Sequence, residues 1–566
     1  MSEAGQESPA AGTAAGGNQS LKWKEENPVS SLLIIMVATL ACLLPFLGKA
    51  FHMDDPLFVW CARHIQSDPV HFYSFNVNWE GRPAPMAAVT QNPPLTAFFM
   101  ALAGSLLGWK EAALHAAFLL PALALAAGTW RLARGFCAHP LAAALVTITA
   151  PVFLLSSTST MCDTMMLAFW VWAVVFWTEG LTQNRPAKLW AAAVLIAACG
   201  LTKYFGLCLI PLLLVYSLME RRRAGVWLAC LLFPVVVMAG YQWMTHQLYG
   251  RGLLFNAAAY ATNLRIGDNL PVKILTGLAF SGGCILIVLP LAPLLWGRKA
   301  LAAGLFGVVL IGALVVALKK LGRFPVLEAG HVKWLFVAQF SLWVASGAGL
   351  LLLAAQDWRE RKTAGSLLLL LWVAGTFLFA CAVNWTVNGR TILPMLPAVS
   401  LLLIRRLERR NWLDGPNILG RLWGPLAISL AIALLVSWAD YRLADSARTA
   451  AANIRQQAGA TAGALWFEGH WGFQYYMEQQ GAQPLDRDNL RLSLNDAIVL
   501  PLGSSYLFPL SRDHAVPWFT YECNPSPWLT TMSVPSGAGY YSDGWGPLPF
   551  VFCRVPAEQY VVLRVQ

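Results

Sequence analysis

The sequence predicts a polytopic α-helical membrane protein, and three observations carry that reading. Apolar segments of roughly 20 residues, the length that crosses a bilayer, recur between residues 30 and 438. Hydrophobic residues make up 57% of the 566 and charged residues only 12%, more apolar surface than a soluble core absorbs. The arginines and lysines cluster in alternate short loops, as basic residues do on the inner side of a membrane. That placement accounts for the net charge of +11 without nucleic acid.

The elements follow in order. Residues 1–29 are rich in Ala, Gly, Ser and Glu and read as a disordered cytoplasmic tail. The apolar run 30–50 is too long and too far from the start for a signal peptide, and is the first span. A polar outer loop reaches Gln91. Asn92-Pro93-Pro94 then starts a short apolar helix to Leu107. Counting that helix as a span would put Arg131 and Arg134 outside, so it is expected in the outer interface. Spans follow at 112–130, 139–156 and 164–180, with later ones turning at Lys203, Arg221, 245–271, Arg298, 319–333, Arg359, Arg390 and Arg405. A last span covers 422–438, for about thirteen transmembrane helices in a 30–439 membrane domain. Residues 440–566 mix short apolar runs with turn-rich aromatic segments and read as a small extracytoplasmic α/β domain. Those aromatics suit a small core or sugar stacking. The 11 cysteines show no metal-type spacing, and Cys523 and Cys553 could pair outside.

Charges that break the inside-positive pattern share one layer, the outer ends of the spans. Asp54 and Asp55 follow the first span directly, where helix insertion needs no acid. Asp163 opens the fourth span and Lys203 closes the fifth. Lys319, Lys320, Arg323, His331 and Lys333 share one outer loop, and Arg390 begins a proline-kinked helix. Each has an ordinary reading: a polar helix end for the acid pair, an N-cap for Asp163, a snorkelling cation for Lys203 or Arg390. Together they suit group transfer from a lipid phosphate, in which a carboxylate takes the acceptor hydroxyl's proton and cations hold the departing phosphate. The absence of a glycine-rich phosphate loop argues against a cytoplasmic nucleotide donor. Spans without mid-membrane charge or inverted repeats argue against the alternative, a lipid-linked sugar transporter or flippase. A membrane-anchored glycan-binding protein is a third reading.

The same residues resemble a family. The Asp54-Asp55 pair, Pro93-Pro94-Leu95, Asp163, Leu201-Thr202-Lys203-Tyr204 and Arg390-x-x-Leu393-Pro394-x-x-Pro397 are similar to motifs of integral-membrane glycosyltransferases that use polyprenyl-phosphate sugars. This is the GT-C superfamily, and the protein O-mannosyltransferases and lipid A aminoarabinose transferases are nearest. The resemblance spans residues 30–440. It implies Asp54 as general base, Asp55 orienting it or the acceptor, and Asp163 as a second acid near the sugar or acceptor. It implies Lys203 and Arg390 on the lipid phosphate. Many relatives carry lysine where this chain has Asn92, which shifts phosphate binding toward Lys203, Arg390 or the loop with Arg323 and Lys333. The first pair commonly ends in glutamate, one methylene longer than Asp55. His52, Asn92, Tyr204 and His331 are expected to line the donor and acceptor pocket.

The expectation is therefore an inverting glycosyltransferase at the periplasmic face of a bacterial inner membrane. Its partners would be a polyprenyl-phosphate-linked sugar (hexose or pentose), a lipid, glycan or protein acceptor, and membrane lipids. One carboxylate base suffices for inversion. No cofactor is required. Asp54, Asp55 and Asp163 could converge on a divalent ion, but the basic loops neutralise the same charge, so no metal ligand is assigned.

Overall fold

Proline sets where the chain bends. In this computed structural model the apolar stretch 140–157 is two helices, Pro140–Ile148 and Pro151–Ser157, bent by 63°. Pro151 disfavours helical backbone at the residue before it, and Ala150 is extended there (φ −77°, ψ 136°). Leu270–Cys284 and Val288–Leu295 form a second bent pair, at 91°. The structure describes residues 27–221, 225–265, 269–317, 324–414, 418–459, 463–510 and 515–566. The expected tail up to residue 26 lies outside them, as do Arg222, Arg223, Lys319, Lys320 and Arg323.

Eight helices among the described residues are long and apolar enough to cross a membrane, or ten if each bent pair is one span. They are Pro28–Phe46, Glu111–Ala133, Asp163–Thr182, Val226–Tyr249, Arg298–Ala317, Trp334–Arg361, Ala364–Val383 and Gly420–Ala458. Three further expected spans are helical but shorter. Pro186–Thr202 has 17 residues, Tyr204–Glu220 breaks from a 3-10 turn into an α-helix, and Leu396–Arg409 has 14 residues. Seventeen residues rise roughly 25 Å, short of a bilayer core, so helix length does not reach thirteen spans. The outer-loop helix Leu95–Leu107 forms, beside the helix Asp55–Ser67 and a hairpin pairing Asn76–Asn78 with Pro83–Pro85.

The last membrane helix runs unbroken over Ile418–Ala458, 41 residues and roughly 60 Å. The domain boundary expected at residue 440 therefore falls inside a helix. That helix carries the C-terminal region directly, and its Asn453 donates to the Tyr521 hydroxyl at 2.8 Å. The region holds a five-stranded mixed sheet, ordered Gln483–Pro484, Leu465–Phe467, Ala497–Pro501, Glu558–Val565, Ala515–Cys523. The first three strands pair parallel, with the helix Trp471–Gln479 crossing between two of them, and the last two pair antiparallel. Cys523 and Cys553 are both free thiols, so the bridge left open by the sequence is not made.

The C-terminal region shares one hydrophobic core with the membrane helices. Tyr540 is 1% exposed, and its hydroxyl meets Ser156 at 2.8 Å. Its carbonyl accepts the Gly389 amide at 2.7 Å, and only glycine fits there: a Cβ would lie 2.2 Å from the ring. At the opposite helix ends, basic groups of the expected inner side find acids. Arg131 and Lys188 meet Glu179, Arg361 and Arg405 share Asp357, and Arg409 meets Glu360.

Candidate active site

Asp54 opens the helix Asp55–Ser67 but does not cap it, since no backbone amide bonds to its side chain. Its carboxylate instead meets the Arg390 guanidinium at 3.0 Å, with 29% of the side chain exposed. The preceding Met53 is held at φ +46°, a left-handed conformation that strains a long side chain. That strain turns the chain so that Asp54 and Asp55 diverge. Asp55 points inward and is fully buried. It accepts the His52 amide at 2.8 Å and both the amide and hydroxyl of Thr160 at 2.9 Å. Burial outweighs those bonds and pushes the Asp55 carboxyl up to about 6.

Arg390 sits in the short helix Gly389–Ile392, fixed by a reciprocal cap between Asn388 and Thr391. Its guanidinium also reaches the Met161 sulfur and lies over the Tyr541 ring, 5.7 Å from the centroid. Met161 leads into Cys162 and Asp163. Cys162, not Asp163, takes the cap position of the next helix, so the N-cap reading of Asp163 is not met. Asp163, 1% exposed, pairs with the Lys203 ammonium. Lys203 is extended (φ −153°, ψ 132°) between two helical segments, which aims its side chain across at Asp163. Asp54, Asp163, Lys203 and Arg390 thus come from four separate segments to one end of the bundle as two neighbouring acid–cation pairs. Two polar atoms there, Arg390 Nε and Asp163 Oδ2, are buried without a hydrogen-bond partner among the described residues.

The remaining predicted residues divide. Asn92 accepts the Cys162 thiol at 3.5 Å, beside Asp163. Tyr204 follows Lys203, and its hydroxyl meets that of Tyr241 at 3.1 Å. His52 is buried behind the acid pair, edge-on to Tyr541, and burial lowers its imidazole to about 4. Lys333 does not join the acids: it donates to the Pro535 carbonyl at 2.6 Å and faces Glu328. His331 is exposed on the hairpin pairing Leu327–Glu328 with His331–Val332. Surface hairpin residues answer to their nearest partner, and a loop's charge alone does not name it. Arg323 lies outside the described residues. No group of three His, Cys, Asp or Glu in a metal-holding arrangement occurs among the described residues. The three acids face Arg390, backbone amides and Lys203 rather than a shared centre.

Sequence reasoning missed the layer beneath. Lys49 and Asp440, both fully buried, pair at 2.6 Å and join the segment after the first membrane helix to the last one. Asp440 also accepts the Tyr541 hydroxyl at 2.8 Å and the Thr531 hydroxyl at 2.7 Å. It therefore holds the ring over which Arg390 lies. Lys49 was visible as a cation at an outer helix end, the signal that singled out Lys203. Nearby, the Phe51 amide donates to the Tyr476 hydroxyl, which donates to Glu111 at 2.9 Å.

Residues 91–243 match the family described as dolichyl-phosphate-mannose-protein mannosyltransferase. The chain resembles the GT-C glycosyltransferases. The matched GT-C stretch holds Asn92, Asp163, Lys203 and Tyr204 and stops short of Arg390. A search of curated proteins returns no match. Among solved structures, the apo oligosaccharyltransferase of Archaeoglobus fulgidus is similar at 13% identity and TM-score 0.47, over 88% of this chain and 74% of that one. ArnT of Cupriavidus metallidurans, bound to undecaprenyl phosphate, is similar at 15% identity and TM-score 0.40, over 84% and 92%. The arabinosyltransferase EmbB of Mycobacterium smegmatis is similar at 15% identity and TM-score 0.31, over 78% and 43%. Overlaps of this depth carry no information about single site residues.

Proposed function

We propose that the protein transfers a sugar from a polyprenyl-phosphate donor to an acceptor hydroxyl, with Asp54 as general base. The supporting observation is the pair of ion pairs, Asp54–Arg390 beside Asp163–Lys203. On this reading the acceptor hydroxyl gives its proton to Asp54 as its oxygen bonds to the anomeric carbon. The bond from that carbon to the phosphate oxygen breaks, and its electron pair stays on the phosphate. Attack opposite the leaving group inverts the anomeric centre.

Arg390 has a double role. While it pairs with Asp54, that carboxylate is a weakened base. A donor phosphate carries charge and matches the guanidinium fork, so its arrival competes for Arg390 and frees Asp54. The unpartnered Arg390 Nε is a second donor for that phosphate. Lys203 neutralises the leaving phosphate from the neighbouring pair, and Asp163 Oδ2 is left to accept from a sugar hydroxyl. Asp55 fixes the turn that aims Asp54. Two cations supply the neutralisation that group transfer needs, so the reading calls on no cofactor. Residues 30–439 then act as the catalytic membrane domain, and the site and C-terminal region face the periplasm.

The donor half is tested by binding. Undecaprenyl phosphate, followed by native mass spectrometry of the detergent-solubilised protein, should bind wild type and lose affinity at least tenfold in Arg390→Ala and Lys203→Ala. Equal binding in all three would refute the assigned phosphate site.

A further inference from the structure

In the C-terminal region Tyr475, Tyr476, Tyr540, Tyr541, Phe550 and Tyr560 are buried in the core. Trp471 and Trp545 are only half-buried, and they pair with ring centroids 5.3 Å apart at 57°. Each is tied to one half of the Asp54–Arg390 pair. Trp471 precedes Gly472, whose Cα presses on the Phe51 carbonyl so closely that a Cβ would sit 2.1 Å from it. Trp471 therefore rides on the segment that delivers Asp54, and it lines a cleft with His52 and Met53. Trp545 closes a loop whose Asp543 amide donates to the Val387 carbonyl and whose Asp543 carboxylate meets Lys273 at 2.9 Å. Trp545 therefore rides on the segment that delivers Arg390.

Trp471 also holds φ +65°, a left-handed conformation that a bulky aromatic rarely adopts. Strain of this kind persists where the surrounding structure fixes it, here the Gly472 contact with Phe51, and it sets where the indole points. Beside Trp471, His470 meets its ring at 4.7 Å between centroids and meets the 48% exposed Tyr506 at 5.2 Å.

We propose that Trp471 and Trp545 form an aromatic wall that binds a sugar ring of the acceptor, so that the acceptor is a saccharide. The flat apolar face of a pyranose packs on an indole, while its hydroxyls reach polar groups at the rim. This rests on the transferase reading, and its test needs no turnover. Full-length Asp54→Asn protein in detergent is titrated with gluco-, manno- and N-acetylglucosamine disaccharides, read by saturation-transfer NMR. At least one should bind, with affinity falling about tenfold in Trp545→Ala and in Trp471→Gly. The Trp471→Gly change also relieves the positive φ, so its melting midpoint should fall less than that of Trp545→Ala. Undecaprenyl phosphate affinity should not move. Trp243→Ala, on an exposed ring remote from the pair in sequence, is the control and should bind as the parent does. No disaccharide binding, binding indifferent to both rings, or a loss that tracks the lipid phosphate would each overturn the proposal. If binding depends on the rings but no donor is ever turned over, the transferase reading fails and the saccharide site stands. If turnover occurs with ring-independent binding, the reverse holds.

Discussion

Removing Asp440 alone should damage the protein more than removing both members of the buried Lys49–Asp440 pair. Each side chain is 0% exposed, so neither charge can be solvated once its partner is gone. Lys49→Met leaves the Asp440 carboxylate with two hydroxyl donors, Tyr541 and Thr531, and should destabilise by about 3–5 kcal/mol. Asp440→Leu strands the ammonium and both hydroxyls together, adding about 1–3 kcal/mol for each unpaired group. It also frees the Tyr541 ring beneath Arg390, so donor binding should fall along with stability. The double variant Lys49→Met/Asp440→Leu removes the charges together and should recover the share of the Asp440→Leu loss that comes from the stranded ammonium, leaving the hydroxyl penalty. Melting in detergent can be followed with a thiol-reactive dye that reports exposure of Cys42 and Cys284, both buried. The expected order of midpoints is wild type, then the double and Lys49→Met close together, then Asp440→Leu. Single variants that melt with wild type, or a double as unstable as the sum of the singles, would refute the reasoning.

Three further outcomes follow from the site. Transfer should decline as pH falls through about 6, because protonated Asp55 can no longer accept from both His52 and Thr160. Thr160→Val removes a bond that favours the carboxylate, so the pH–rate profile should show its acid limb moving upward; a limb that stays put would dismiss Asp55 as its source. Arg390→Lys keeps the charge but loses the fork, and donor KM should rise tenfold or more with acceptor KM unchanged. Steady-state kinetics showing the opposite split would reverse that assignment. Gly389→Ala drives a Cβ to 2.2 Å from the Tyr540 ring, which its bond to Ser156 holds in place. It should cost about 1–3 kcal/mol and weaken donor binding, both absent if the ring swings freely.

Much of this site was legible because charge at a membrane rim is rare enough to notice. Asp54, Asp163, Lys203 and Arg390 stood out as exceptions to one topological rule, and the rule placed them in one layer. Which acid faces which cation could not be read, since the pairings cross sequence separations of 336 and 40 residues. The rule also failed in specific ways. Lys333 is an exception of the same kind and yet faces Pro535. Asp440 has no such signal because it stands at the expected start of the extracytoplasmic domain, whereas the helix continues to Ala458 and buries it. Apolar length located the helices, but the bend at Pro151 and the short Pro186–Thr202 helix show why length alone misjudges spans. The indole of Trp471 had no sequence signal: a left-handed tryptophan is set by what Gly472 presses against, and that contact is tertiary.

The most direct measurement is release of free polyprenyl phosphate from a panel of polyprenyl-phosphate sugars, each offered with a saccharide acceptor and read by mass spectrometry. The account predicts release and a glycosylated acceptor from one donor with wild type, and neither with Asp54→Asn, whose fold and undecaprenyl phosphate binding persist. Full turnover by Asp54→Asn would contradict it.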